Sequence, residues 1–132
     1  MLFAWRKNRY KSEFFALNRK RGDIVVLTGH VGDHIPDESL ISAAKREINE
    51  ELGIDPLEII DLKFKSTVRL ISSNNISTEH TFLIKIPDNI KINYQNGKEK
   101  HIWYSIDELI RKLTYPHQKE AAKIIKNKIE SD

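Results

Sequence analysis

The chain contains no cysteine, which removes disulfides, zinc–thiolate centres and thiol nucleophiles and permits a reducing compartment. Long apolar runs are missing as well. The opening Met1-Leu2-Phe3-Ala4-Trp5 is too short for the core of a signal peptide, and no later stretch reaches the length of a membrane span. A cytoplasmic protein with no membrane partner is therefore expected. Internal repeats, low-complexity tracts and linker-like segments are also lacking, so residues 1–132 are expected to form one domain. Hydrophobic residues make up 39% and charged residues 31%, enough apolar material for a single core.

Charge is balanced overall but not along the chain. The net value is +3, from 22 Lys and Arg against 19 Asp and Glu, yet five of the acids fall between Asp37 and Glu51. The remainder is correspondingly basic, which suits a ligand carrying several phosphates and equally suits a solvated surface.

Hydrophobic patterning predicts mixed α/β structure. Phe14 to Leu17 and Ile24 to Leu27 read as strands joined by the basic turn Arg19-Lys20-Arg21-Gly22-Asp23, a hairpin that feeds a glycine-containing loop from Thr28 to Asp37. A helix is expected from about Ser39 to Leu52, with Gly53 as its stop. Leu57 to Ser72 and Ile76 to Ile86 read as longer strands linked by Ser73-Asn74-Asn75. A short strand over His101 to Tyr104 precedes a helix from about Ile106 to Leu113, capped by Ser105, and a basic helix from about His117 to Ile129. That order implies a mixed sheet covered by helices.

On a helical wheel the 39–52 segment divides into three arcs. Leu40, Ile41, Ala44, Ile48 and Leu52 form the stripe expected to face the core, and Ser42, Lys45 and Asn49 point to solvent. Glu47, Glu50 and Glu51 fill the third arc at i, i+3 and i+4, with Ala43 one turn earlier. Like charges at these spacings repel by a few tenths of a kcal/mol per pair, so a positive partner is expected, and hard divalent cations favour oxygen ligands. Arg46, four residues before Glu50, can orient its carboxylate by a charge-assisted hydrogen bond.

The surrounding residues extend this cluster into a longer pattern. Gly32, Glu38, Arg46, Glu47, Ile48, Glu50, Glu51, Gly53 and Ile54 match G-x5-E-x7-R-E-U-x-E-E-x-G-U, with U apolar: nine constrained positions across 23 residues. On these residues the chain resembles the Nudix (MutT-like) hydrolase family. Trp103-Tyr104-Ser105-Ile106-Asp107-Glu108-Leu109 is similar to the tryptophan and Glu-Leu segment common near the end of such domains. The resemblance implies an α/β/α sandwich (α/β, or α+β) with a mixed central sheet. It also implies hydrolysis of a nucleoside diphosphate linked to another moiety, NTPs and dNTPs included, with Mg²⁺ or Mn²⁺ as cofactor. It assigns Glu47, Glu50 and Glu51 as metal ligands, Arg46 as their orienting partner, Glu38 as an auxiliary acid and Gly53 as the helix stop. A loop carbonyl at Gly32 or at Gly29 completes the metal shell, because Gly29-His30-Val31 looks like the family's own loop segment while the box spacing is met from Gly32. The general base is Glu47 or Glu50, or an acid from a later loop, for which Glu99 is the candidate.

Weaker signals complete the site. Arg19, Lys20 and Arg21 are candidates for phosphate contacts, His30, His80 and His101 for lining the pocket, and Trp103 or Tyr104 for stacking a base; solvated and packed roles account for these residue types at least as well. Leu113 to Ala122 loosely resembles the C-terminal end of Nudix enzymes acting on nucleoside or pterin triphosphates. A non-catalytic Nudix-fold module that binds a nucleotide is the alternative reading, and the full acidic face argues against it. Isopentenyl diphosphate isomerase chemistry shares the fold but resembles a route needing a catalytic cysteine. Lys119, Lys123, Lys126 and Lys128 spread around the last helix, so nucleic acid is not expected as a partner beyond a capped or 5′-phosphorylated RNA end. The sequence leaves the oligomeric state open.

Overall fold

A computed structural model describes residues 1–28, 39–69, 76–92, 94 and 99–131. Among them lie strands β1 (Leu2–Asn8), β2 (Lys11–Asn18), β3 (Ile24–Val25), β4 (Glu58–Arg69), β5 (Ile76–Lys85) and β6 (Lys100–Tyr104). The helices are α1 (Leu40–Leu52), α2 (Ile106–Lys112) and α3 (Pro116–Ser131). Strand order is β3-β2-β1-β5-β4, with β6 on the other edge of β2. β1 and β5 are parallel, pairing Leu2 with Phe82 and Trp5 with Lys85, whereas the remaining named pairings are antiparallel. The sheet is thus mixed, as expected.

β1 is the element that sequence patterning overlooks. Leu2, Phe3 and Ala4 are all buried, because β1 is flanked by β2 and β5 and covered on both faces. Such a strand reads as an unbroken apolar run without the alternation that marks a half-buried strand. The expected β2–β3 hairpin is present, with Leu17 opposite Val25. β3 ends at Val25, and Leu27 continues by bridging to Leu2.

Alternation along the strands sorts the core into two layers. Leu2, Ala4, Phe15, Leu17, Phe82 and Ile84 pack with Ala44 and Ile48 of α1. Phe3, Phe14, Ala16, Val26 and Leu83 pack with Leu109 of α2, Leu113, and Ala121, Ala122 and Ile125 of α3. One helix on one face and two on the other make the α/β/α sandwich. Two details of the wheel are corrected here. Ile41 is 42% exposed and lies outside the stripe, while Ala43 is fully buried; α1 is rotated toward its acidic arc. β4 begins at Glu58, leaving Leu57 exposed, and the expected Ser73-Asn74-Asn75 link lies outside the described residues.

The helix ends follow their local chemistry. The Ser39 side chain accepts a hydrogen bond from the Ser42 amide at 3.1 Å to cap α1. Ser105 and Glu108 form a reciprocal capping box on α2, and Pro116 takes the first position of α3, where a missing N–H costs nothing. Gly53 closes α1 at φ 68°, its amide donating to the Asn49 carbonyl at 2.9 Å. A Cβ added there meets no atom within 4 Å. Gly53→Ala is therefore expected to cost only the left-handed penalty of about 1–2 kcal/mol, with no steric term; urea unfolding measures it. Among the described residues no helix is long and apolar enough to cross a membrane.

Candidate active site

Strand register brings the first two site residues together. β2 and β6 pair antiparallel, with Phe15 opposite Trp103, Leu17 opposite His101 and Asn18 opposite Lys100. Arg19 and Glu99 therefore leave the two strands side by side. By alternation Arg19 follows Phe15 and Leu17, and Glu99 precedes His101 and Trp103, onto the sheet face that α1 covers. Arg19 Nε lies 3.7 Å from Glu99 Oε1, and the Tyr94 hydroxyl donates to Glu99 Oε2 at 3.2 Å.

α1 brings one further acid, Glu51, to the same cavity, with Glu47 and Glu50 near it on the helix. Its apolar side, Ala44 and Ile48, is fixed to the sheet, and this fixes the direction of the neighbouring arc. Glu47 is buried, Glu51 is half-buried and Glu50 is exposed. Arg46 Nη1 donates to Glu47 Oε1 at 3.1 Å and to both Glu50 oxygens at 3.4 Å. The arginine thus ties two carboxylates of the acidic arc. Glu51 faces a small cavity of about 130 Å³ lined also by Leu17, Arg19, Thr28, Tyr94 and Glu99. Burial, and then the charges of Glu47, Glu50 and Glu99, hold its carboxyl above the ordinary value. Three carboxylates, two from α1 and one from the approach to β6, therefore act electrostatically on Glu51.

This donor set matches a hard cation. All the groups are carboxylate oxygens, and Glu51 in particular carries unfavourable like-charge interactions that a divalent ion would reverse. Among the described residues no three acidic or imidazole side chains are already gathered around one point. Glu47 and Glu50 contact Arg46 instead, and Glu99 contacts Tyr94 and Arg19.

Other candidates fall in varied surroundings. Gly29, His30, Gly32 and Glu38 lie outside the described residues. Arg21 has a largely exposed side chain and pairs with Asp23 at 3.5 Å, away from the cavity lining. His101 stacks on Phe15 with ring centroids 5.6 Å apart, and the His80 carbonyl accepts from the Met1 amino group. The Arg6 guanidinium sits 3.7 Å from the Trp103 ring centroid, so that face of the indole is not open to a base. Tyr104 packs into the layer beneath α2 and α3. Sequence reasoning missed Thr28 and Tyr94 in the cavity wall. Pairing β2 with β6 in sequence would have placed Arg19 beside Glu99, but no sequence pattern signals the position of Tyr94.

Comparison with known proteins agrees with this arrangement. A model of the NUDIX domain matches residues 3–127. No curated protein matches the chain. Among solved structures, a Listeria monocytogenes protein assigned as a Nudix hydrolase superposes with a TM-score of 0.79 at 18% identity, covering 99% of this chain and 92% of its own. The C. elegans Ap4A hydrolase superposes with a TM-score of 0.76 at 19% identity, covering 99% and 96%. The E. coli dihydroneopterin triphosphate pyrophosphohydrolase gives 0.65 at 15% identity, covering 92% and 90%. At such identities the superpositions speak to the fold, and the match over 3–127 to the family. The chain belongs to the Nudix family.

Proposed function

We propose that this protein is a pyrophosphohydrolase dependent on Mg²⁺ or Mn²⁺, and that it splits the diphosphate linkage of a nucleoside diphosphate joined to another group, nucleoside triphosphates included. The observation that carries the reading is that Glu51 and Glu99 line one cavity, while Glu47 and Glu50 beside it on α1, together with Glu99, help hold the Glu51 carboxyl above its ordinary value. Two relatives of similar fold are named for Ap4A and for dihydroneopterin triphosphate; both compounds carry a phosphate chain, and this supports the substrate class.

Glu47, Glu50 and Glu51 would hold the metal, which when bound neutralises phosphate charge and makes a nearby water acidic. Gly29 or Gly32 would add a backbone oxygen. Arg46, fixed between Glu47 and Glu50, holds those carboxylates in register. In the reaction the water oxygen bonds to one phosphorus, the bridging P–O bond breaks, and the second phosphate leaves with the bridging oxygen. The water proton passes to a carboxylate, Glu99 or one of Glu47 and Glu50. Arg19, at the cavity wall, is placed to meet a phosphate oxygen.

Chelation tests the reading. Excess EDTA is expected to abolish hydrolysis, and Mg²⁺ or Mn²⁺ to restore it; undiminished turnover in chelator would overturn the metal-dependent mechanism. The assay is best run across NTPs, dNTPs, nucleotide sugars, dinucleoside polyphosphates and capped RNA, with the released phosphate or pyrophosphate identified.

A further inference from the structure

We propose that Tyr94 is a positioning residue for Glu99, its hydroxyl tethering the Glu99 carboxylate on the side of the cavity that faces Glu51. The inference rests on the hydrolytic reading above and assigns a role to a residue outside the Nudix box. The Tyr94 ring lies edge-on to Phe15, with centroids 5.8 Å apart and planes at 68°. Phe15 is buried at the centre of the sheet, in the layer beneath α1. The phenol is thereby referenced to the sheet, although Tyr94 itself belongs to no helix or strand.

Each Glu99 oxygen meets a different neighbour. Oε2 accepts from the Tyr94 hydroxyl at 3.2 Å. Oε1 lies 3.7 Å from Arg19 Nε, beyond hydrogen-bond reach, and that buried nitrogen has no hydrogen-bond partner among the described residues. The tyrosine therefore supplies the directional contact, while Arg19 supplies charge without fixing an angle. A tether is needed because Glu99 and Glu51 line the same small cavity, where two carboxylates oppose one another. A glutamate side chain rotates freely about several bonds, and an untethered Glu99 would relieve the repulsion by turning to solvent.

Tyr94→Phe isolates the hydroxyl, since it keeps the ring on Phe15. In the full-length chain it is expected to lower kcat about ten-fold, the order of one hydrogen bond to a charged group, with KM and thermal midpoint unchanged. In the Glu99→Gln background the same substitution is expected to cause no further loss, because the carboxylate that the hydroxyl positions is already gone. In metal-free crystals of Tyr94→Phe the Glu99 carboxylate is expected to point away from Glu51. Wild-type kcat in Tyr94→Phe, a lowered thermal midpoint accounting for the loss, multiplying effects in the double variant, or an unmoved Glu99 would each overturn the proposal. Full activity in Glu99→Gln would overturn it too, leaving the hydrolytic reading intact so long as Glu51→Gln is impaired. Full activity in Glu51→Gln would instead remove the hydrolytic reading itself.

Discussion

Glu51→Gln is expected to lower kcat by more than about 100-fold at saturating Mg²⁺, since loss of a metal ligand should exceed the 10- to 100-fold typical of its supporting partners. Glu50→Gln is expected to behave alike. The change keeps the side chain's size and removes only its charge, so folding is expected to survive. Stability supplies an independent check. Glu51 is held above its ordinary carboxyl value of 4.5 by burial and by Glu47, Glu50 and Glu99. Its ionised form is therefore disfavoured in the folded state. The penalty is absent below pH 4.5 and fully present once pH exceeds the raised value. Metal-free Glu51→Gln at neutral pH should thus be at least as stable as the wild type by thermal unfolding. Mn²⁺ should raise the wild-type midpoint and fail to raise that of the variant. Full turnover in Glu51→Gln, or a destabilised metal-free variant, would contradict the placement of this carboxylate.

Phe15→Ala carries the largest expected cost in stability. Phe15 is 1% exposed and meets Tyr94, His101 and Trp103 at centroid distances of 5.8, 5.6 and 5.5 Å. Removing a buried phenyl ring costs about 3–5 kcal/mol, a large share of the roughly 5–15 kcal/mol that holds an ordinary domain folded. The same ring is the platform on which Tyr94 rests, so the surviving folded fraction should also show reduced kcat. Chemical denaturation with tryptophan fluorescence measures the first effect. A loss below about 1 kcal/mol would mean that the cavity collapses around the deleted ring, against the close packing of β2.

These two expectations draw on different parts of the sequence. The acidic arc of α1 was legible because a helix repeats every 3.6 residues, so Glu47, Glu50 and Glu51 had to share a side whatever surrounded them. Gly53 and Ser105 marked helix ends through hydrogen bonds and backbone angles that are local, and the structure keeps both as caps, while Ser39, expected as the first residue of α1, caps it instead. The β2–β3 hairpin was legible for the same reason. β1 was not, because burial on both faces erases the alternation that identifies a strand, and its parallel pairing with β5 joins residues 80 positions apart. Ile41 fell on the apolar stripe by spacing alone, yet the sheet meets α1 at an angle that leaves it 42% exposed and buries Ala43 instead.

The amino-acid sequence by itself determined the box, the helix that carries it and the identity of the oxygen donors, since these depend on spacings within a few turns. Only the tertiary structure decided that Glu99 and Arg19 stand beside Glu51, because their proximity follows from the register of β6 on β2. It alone placed Tyr94, edge-on to the ring of Phe15 on the same face of the sheet. It also covered one face of Trp103 with Arg6, a contact between distant residues that no local pattern encodes. Contacts closed by short-range geometry are written in neighbouring letters; contacts closed by packing depend on the whole chain at once.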